Sequence, residues 1–84
     1  MQSEEIKQLI ENGLADCEAR VSGDGSHFEA VVISPAFAGK SLVEQHRMVY
    51  ATLGGRMEAE EIHALSIRPY TPAAWARARK LQGA

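Results

Sequence analysis

The chain has 84 residues, of which 45% are hydrophobic and 24% charged. These values are typical of a globular protein and exclude disordered and collagen-like chains, so we expect one domain over residues 1–84. One cysteine excludes an internal disulfide and a cysteine-rich zinc site. A charged N-terminal segment and the lack of a long apolar run predict neither a signal peptide nor a membrane span. We therefore expect a soluble, cytoplasmic protein.

The net charge of −2 conceals an uneven distribution along the chain. Residues 1–34 contain seven acidic and two basic residues, whereas residues 35–84 contain four acidic and seven basic ones. Three of the basic residues, Arg77, Arg79 and Lys80, lie together near the C-terminus. Such a cluster either contacts a nucleic acid or an acidic protein, or stabilises the end of a helix through the helix dipole. Both interpretations stay open at this point.

The first half of the chain predicts a helix and a β-hairpin. Ser3 is the expected N-cap of a helix that Gly13 ends. Alternating residues predict a strand over 17–21, and the β-branched run "HFEAVVI" predicts a second strand over 27–33. The intervening "SGDG" indicates a tight connection in which glycine accepts a positive φ.

The middle of the chain predicts a second helix. Ser41 and Glu44 have the spacing of a capping box, and Gly54-Gly55 provides a C-terminal stop. Between them, apolar residues recur at helical spacing, which predicts one buried stripe formed by Leu42, His46, Val49, Tyr50 and Leu53.

The last part of the chain predicts a third strand and a final helix. The strand "IHALSIR" should direct His63, Leu65 and Ile67 to one side and end at Pro69, because proline donates no hydrogen bond. Thr71 and Pro72 then start a helix for which Trp75 and Leu81 are the expected anchors. The element order α-β-β-α-β-α predicts an α+β domain, a three-stranded sheet with helices over one face.

Three motifs make the sequence similar to a known family. They are "F-x-G-x-S-x-x-x-x-H-R-x-V" over residues 37–49, "I-H-A-L-S-I" over 62–67, and "T-P-x-x-W" over 71–75. In these motifs, and along nearly its whole length, the chain resembles the BolA-like family, most closely its small bacterial members. The resemblance implies a fold similar to class II KH domains and partnership with a monothiol glutaredoxin. It also implies a bridging [2Fe-2S] cluster and a role in iron homeostasis or iron-sulfur trafficking. Some family members are DNA-binding regulators.

We do not expect the chain to hold such a cluster alone. A [2Fe-2S] cluster takes four ligands, ordinarily cysteine thiolates, and this chain has one cysteine beside three histidines. The resemblance implies that the glutaredoxin cysteine and a glutathione thiolate bind one iron while two residues of this chain bind the other. His63 matches the family's ligand position. Ligation by histidine should weaken as imidazole protonates, near its ordinary pKa of about 6.5.

The second ligand has three candidates. The family takes it from the loop between the first two strands, where His27 is our first choice because imidazole suits iron better than carboxylate does. Asp24, in "GDG", stands where cysteine-type relatives carry their cysteine. Cys17 is the third candidate, although its alternation with Ala19 predicts an inward-facing, structural thiol.

Other residues and functions compete with this interpretation. His46 is predicted to be structural and Arg47 to be exposed on a partner surface. The alternative function is a KH-like DNA-binding transcriptional regulator that contacts DNA through residues 77–80, although the chain is net acidic and lacks a G-x-x-G loop. Asp24, Ser26 and His27 lie too close together in sequence to form a hydrolytic triad, so we expect no enzyme. The sequence leaves a weak homodimer open.

Overall fold

The sheet has β2 at its centre, between an antiparallel and a parallel neighbour. A computed structural model of the chain describes residues 2–24, 26–55 and 64–83. β2 pairs antiparallel with β1 and parallel with β3. The elements in chain order are α1 (Ser3–Gly13), β1 (Glu18–Gly23), β2 (Phe28–Ile33), a 3-10 helix (Pro35–Phe37), α2 (Leu42–Leu53), β3 (Leu65–Tyr70) and α3 (Pro72–Gly83). This order confirms the predicted α+β class and the predicted sequence of helices and strands.

One face of the sheet packs against α1 and α2 to form the core. Alternation along the strands turns Ala19, Ala30, Val32 and Ile67 inward. The helices contribute Ile6, Ile10, Val49 and Leu53, and the 3-10 helix contributes Phe37. Phe37 is the largest of the fully buried side chains. It follows that the phenylalanine of the family motif has a packing role.

Two polar contacts tie the α1–β1 connection to its surroundings. Ser34 is fully buried, and its hydroxyl donates to the Ala15 carbonyl oxygen at 2.7 Å. The Glu11 carboxylate accepts the Ala19 amide at 2.9 Å and forms an ion pair with Lys7. Because Ala19 lies in the edge strand β1, Glu11 occupies a backbone donor that would otherwise be free for another strand.

Helix α1 begins one residue earlier than predicted. Its N-cap is Gln2, whose backbone amide donates to Glu5 Oε1 at 3.1 Å, and Ser3 is already helical. The reciprocal contact with Glu5 explains the shift, because an acidic side chain three residues ahead fixes the position of the cap.

Helix α2 starts as predicted but buries less of its apolar stripe. The Glu44 amide donates to Ser41 Oγ at 3.2 Å, which confirms the capping box. Val49 and Leu53 are buried, whereas Leu42 remains 62% exposed. The prediction was wrong for Leu42 because the first turn of α2 extends beyond the buried cluster.

Pro69 lies within β3 and does not end it, so the predicted stop was wrong. The Ser34 amide donates to the Tyr70 carbonyl, and Phe28 donates to Ala64, so the even-numbered residues of β3 bond to β2. Pro69 therefore directs its missing donor toward the outer edge, where the sheet loses no hydrogen bond.

The final helix begins at its predicted cap and meets the sheet through Trp75. The Ala74 amide donates to Thr71 Oγ1 at 3.2 Å. The Trp75 ring lies 5.1 Å from the Tyr70 ring and 5.3 Å from the Arg20 guanidinium, on the side of β1 opposite the core. Leu81 is 86% exposed and is not the anchor that the sequence predicted. Between residues 72 and 81, whose burial the structure describes, Ala78 is the last half-buried position, one turn before Leu81.

Candidate functional site

The loop between β1 and β2 is organised around the Asp24 carboxylate. Its Oδ1 accepts hydrogen bonds from the Ser26 amide at 3.0 Å, the Ser26 hydroxyl at 2.9 Å and the His27 amide at 3.0 Å. These hydrogen bonds, that from the Ser26 amide foremost, hold the pKa of Asp24 below its ordinary value. Asp24 is therefore ionised at neutral pH, and the hydrogen bonds that it accepts hold the loop in its conformation.

Gly23 is required by a close contact. A Cβ atom at this position would lie 2.3 Å from the His27 carbonyl oxygen and 2.7 Å from the Phe28 ring. The Asp24 amide donates to the same His27 oxygen at 3.2 Å, which closes the loop. The sequence predicted glycine in this loop because of a positive φ, but the φ of Gly23 is not positive. Glycine is required at residue 23 because a side chain would have no room. Gly25 lies outside the described residues.

His27 stands at the end of this loop, immediately before β2. Its amide is bonded to Asp24, and the residue is exposed. Its imidazole forms no hydrogen bond with any residue in the described part of the chain. The loop therefore fixes the backbone of His27 at the start of β2.

The start of β3 lies beside this loop. Phe28 pairs with Leu65, and the Phe28 amide donates to the Ala64 carbonyl oxygen at 2.8 Å. The first residues of β2 and β3 thus lie at the same end of the sheet. His63, the first predicted ligand, lies outside the described residues, as does the segment 56–62.

Cys17 lies at the other end of the hairpin. It precedes Glu18, which pairs with Ile33, whereas the loop adjoins the Gly23–Phe28 pair. The thiol is half-buried against the core, and burial, followed by the nearby Glu11 carboxylate, raises its pKa to about 11. Cys17 is thus a protonated thiol at neutral pH, separated from His27 by the length of the hairpin.

The motif residues of α2 have the positions expected from helical spacing. His46 is half-buried, and its Nδ1 lies 2.8 Å from the Leu42 carbonyl oxygen, to which it donates. This contact agrees with a structural role for His46. Arg47 is exposed.

The basic residues of α3 form an exposed surface. Arg77, Arg79 and Lys80 are all exposed, and α3 contains no acidic residue. The helix consequently presents three positive charges without an acidic neighbour in its own sequence.

A shallow cavity on the outer face of the sheet was not anticipated from the sequence. It has a volume of about 700 Å³, and Arg20, Val31 and Arg68 lie side by side across its floor. None of the predicted ligands that the structure describes lines it. Strand alternation indicates which residues face outward, but the Trp75 ring that borders Arg20 comes from a distant part of the chain.

Two kinds of feature are absent from residues 2–24, 26–55 and 64–83, the part of the chain that the structure describes. No cluster there combines three or more histidine, cysteine, aspartate or glutamate side chains in a metal-binding arrangement. No helix within these ranges is both long and apolar enough to cross a membrane.

The fold and the loop define a small α+β module of the BolA type, and comparison with known proteins agrees. The family model described as "BolA-like protein" matches residues 6–74. This chain belongs to the BolA-like family, as the sequence motifs predicted. It is 45% identical to the acid stress protein IbaG of Escherichia coli over 83 residues, which cover 99% of each chain.

Structural and more distant relatives give the same family. A bolA protein homologue from Coxiella burnetii is 45% identical, with a TM-score of 0.80 over 92% of this chain and 99% of that one. The Escherichia coli DNA-binding transcriptional regulator BolA is 37% identical over 54 residues, which cover 64% of this chain and 50% of the regulator. The predicted similarity to the small bacterial type is therefore confirmed.

Proposed function

We propose that this protein is a non-enzymatic adaptor that binds a monothiol glutaredoxin and shares a bridging [2Fe-2S] cluster with it. Membership of the BolA-like family supports the choice of partner. The cluster is the cargo of the pair, in cytoplasmic iron-sulfur trafficking or iron homeostasis. The glutaredoxin cysteine and glutathione bind one iron, and His27 and His63 of this chain bind the other.

The hydrogen bond between Phe28 and Ala64 is the observation that carries this proposal. It joins the first residue of β2 to the residue preceding β3 at 2.8 Å. His27 precedes Phe28 in the sequence, and His63 precedes Ala64. Each proposed ligand is therefore one residue away from a partner of the same hydrogen bond, which favours their acting on one iron.

The contacts of the other two candidates favour His27 as the second ligand. Asp24 Oδ1 already accepts three hydrogen bonds, and coordination through it would compete with the contacts that shape the loop. Cys17 is protonated at neutral pH and lies at the opposite end of the hairpin. Iron–sulfur sites in which histidine replaces thiolate on one iron are chemically established.

Mixing with a cluster-loaded monothiol glutaredoxin tests the proposed ligands. The chain alone should bind no cluster, and mixing should change the visible absorption as imidazole replaces thiolate on one iron. His63→Ala should abolish the change, and His27→Ala should reduce or abolish it. His46→Ala is the matched control because it removes the remaining histidine, whose ring donates to the Leu42 carbonyl.

The remaining candidates are compared in the same titration. Asp24→Ala should reduce the change only partly, by loosening the loop, and Cys17→Ala should leave it intact. A His63→Ala spectrum identical to that of the unmodified protein would refute the proposal. Loss of the change in Cys17→Ala alone would assign the second ligand to the thiol.

A DNA-binding regulator is the second candidate function, and the exposed positive charge of α3 favours it. Arg77, Arg79 and Lys80 carry no acidic neighbour on their helix. If DNA binds there, fluorescence anisotropy with duplex DNA should show an affinity that falls steeply between about 50 and 200 mM salt and is lost in Arg79→Glu. No binding at the lower salt concentration would remove this candidate.

A further inference from the structure

Helices α1 and α3 carry exposed charges of opposite sign. Glu4 and Glu5 are exposed on α1, and neither carboxylate forms an ion pair with a cation in the described part of the chain. Arg77 and Lys80 are exposed on α3 and likewise form no ion pair with any described residue. The two helices are therefore electrostatically complementary, but their charges form no ion pair with each other in the described structure.

The exposed side of α1 contains a shallow cavity, here called the α1 notch. It measures about 240 Å³ and is lined by Glu4, Glu5, Gln8 and Leu9. Residues at spacings of three and four share one side of a helix, so these side chains form a continuous surface. Leu9 is half-buried against the core, which gives the notch an apolar part beside its two carboxylates.

The exposed side of α3 carries a leucine beside its positive charges. Leu81 is 86% exposed. Lys80 and Leu81 lie three and four residues after Arg77, so each of them neighbours Arg77 on the surface of the helix. An isolated exposed leucine needs no explanation, but this one adjoins a cation that has no partner among the described residues.

We propose that the α1 notch of one copy receives Leu81 of a second copy of this chain. Arg77 and Lys80 of one molecule then lie against Glu4 and Glu5 of the other. The occupant is a second copy because both complementary surfaces are present on every molecule. The contact is heterologous, joining α3 of one molecule to α1 of the next, so two molecules close only if both contacts form at once.

This contact is small and electrostatically assisted. One notch and one leucine bury far less area than a stable interface requires, so the dissociation constant should lie at about 0.1–1 mM. Exposed charge pairs are screened by salt, and the association should weaken accordingly. The inference does not depend on the proposed function, because its test contains neither glutaredoxin nor iron.

Sedimentation equilibrium of the full chain measures this association. The apparent mass should rise with concentration up to about 1 mM chain at about 0.05 M salt, and it should remain that of a monomer at about 1 M salt. A monomeric mass at the highest concentration and lowest salt would overturn the proposal.

Charge reversals identify the contact. Arg77→Glu should lower the association constant about tenfold or more, and Arg79→Glu is the matched control because residue 79 lies on another side of α3. Glu4→Lys should weaken association as much as Arg77→Glu does. An equimolar mixture of these two variants should recover it, since the reversed α3 charge of one variant then faces the reversed α1 charge of the other.

Each outcome of the variant series bears on the proposal. Recovery in the mixture supports the assigned contact. Equal weakening by Arg77→Glu and Arg79→Glu would attribute the effect to net charge and refute it. Circular dichroism of every variant checks that the fold is intact, and the exposed positions of the substituted residues make unfolding by these changes unexpected.

Discussion

Phe37→Ala should lower the free energy of unfolding by about 3–5 kcal/mol. The side chain of Phe37 is completely buried, and it belongs to the same buried cluster as Ile6, Val49 and Leu53 of the two core helices. Removing the ring loses its burial and leaves a cavity that helices fixed to the sheet cannot fully close. Since a domain of this size is stabilised by only about 4–13 kcal/mol, the variant should approach the limit of folding.

Urea denaturation followed by circular dichroism measures this loss. If Phe37→Ala fails to fold, Phe37→Leu provides a smaller cavity and should cost about 1–2 kcal/mol. Leu42→Ala is the matched control from the same motif region, and its exposed side chain should change stability by less than about 0.5 kcal/mol. A large loss in Leu42→Ala and none in Phe37→Ala would contradict the observed core.

Glu11→Gln should destabilise the domain by about 1–2 kcal/mol at neutral pH. The Glu11 carboxylate joins α1 to the edge strand by accepting the Ala19 amide at 2.9 Å, and it pairs with Lys7. The hydrogen bond from the Ala19 amide, followed by that from Lys7, lowers the pKa of Glu11 in the folded protein. Glutamine keeps an acceptor oxygen but loses the charge that strengthens both contacts.

The effect of Glu11→Gln should depend on pH in a defined direction. A carboxyl group whose pKa is lowered by folding contributes its full stabilisation above the unfolded-state value of about 4.3, and the contribution disappears as pH falls through the lower folded-state pKa. The difference in the free energy of unfolding between the unmodified protein and Glu11→Gln should therefore be largest at about pH 7 and shrink below about pH 4.

Glu29→Gln is the matched control for this experiment. Glu29 is exposed and lies 3.8 Å from Arg68, a surface pair that contributes little. Urea denaturation at a series of pH values should show almost no difference for this control. A Glu11→Gln effect that grew toward low pH would have the wrong sign for the contact described.

Local sequence signals predicted most elements of the fold because their causes are local. The capping box of α2, the glycines after that helix and the alternation along β1 depend on residues within one or two turns. Leu42 and Leu81 were misjudged because helical periodicity identifies an apolar side but not how far the sheet extends beneath it. Pro69 was misjudged because its effect depends on which edge of β3 faces β2, which only the strand order determines.

The sequence supplied candidate ligands for the site but not the interactions around them. The family resemblance implied His63 and a ligand from the first hairpin loop, and that loop formed where "SGDG" predicted it. The hydrogen bonds accepted by Asp24 and the close contact at Gly23 depend on the three-dimensional shape of the loop, which the sequence does not reveal. Likewise, Trp75 was expected to anchor α3, yet its contact with Arg20 joins residues that no local pattern relates.

Pulsed electron paramagnetic resonance of the reduced, cluster-bridged complex with glutaredoxin tests the central claim most directly. Selective ¹⁵N labelling of histidine in this chain identifies couplings that arise from its imidazoles. Two coupled histidine nitrogens are expected, and each of the His27→Ala and His63→Ala variants should remove one. A reduced cluster without any coupling to a histidine nitrogen of this chain would contradict the proposed ligation.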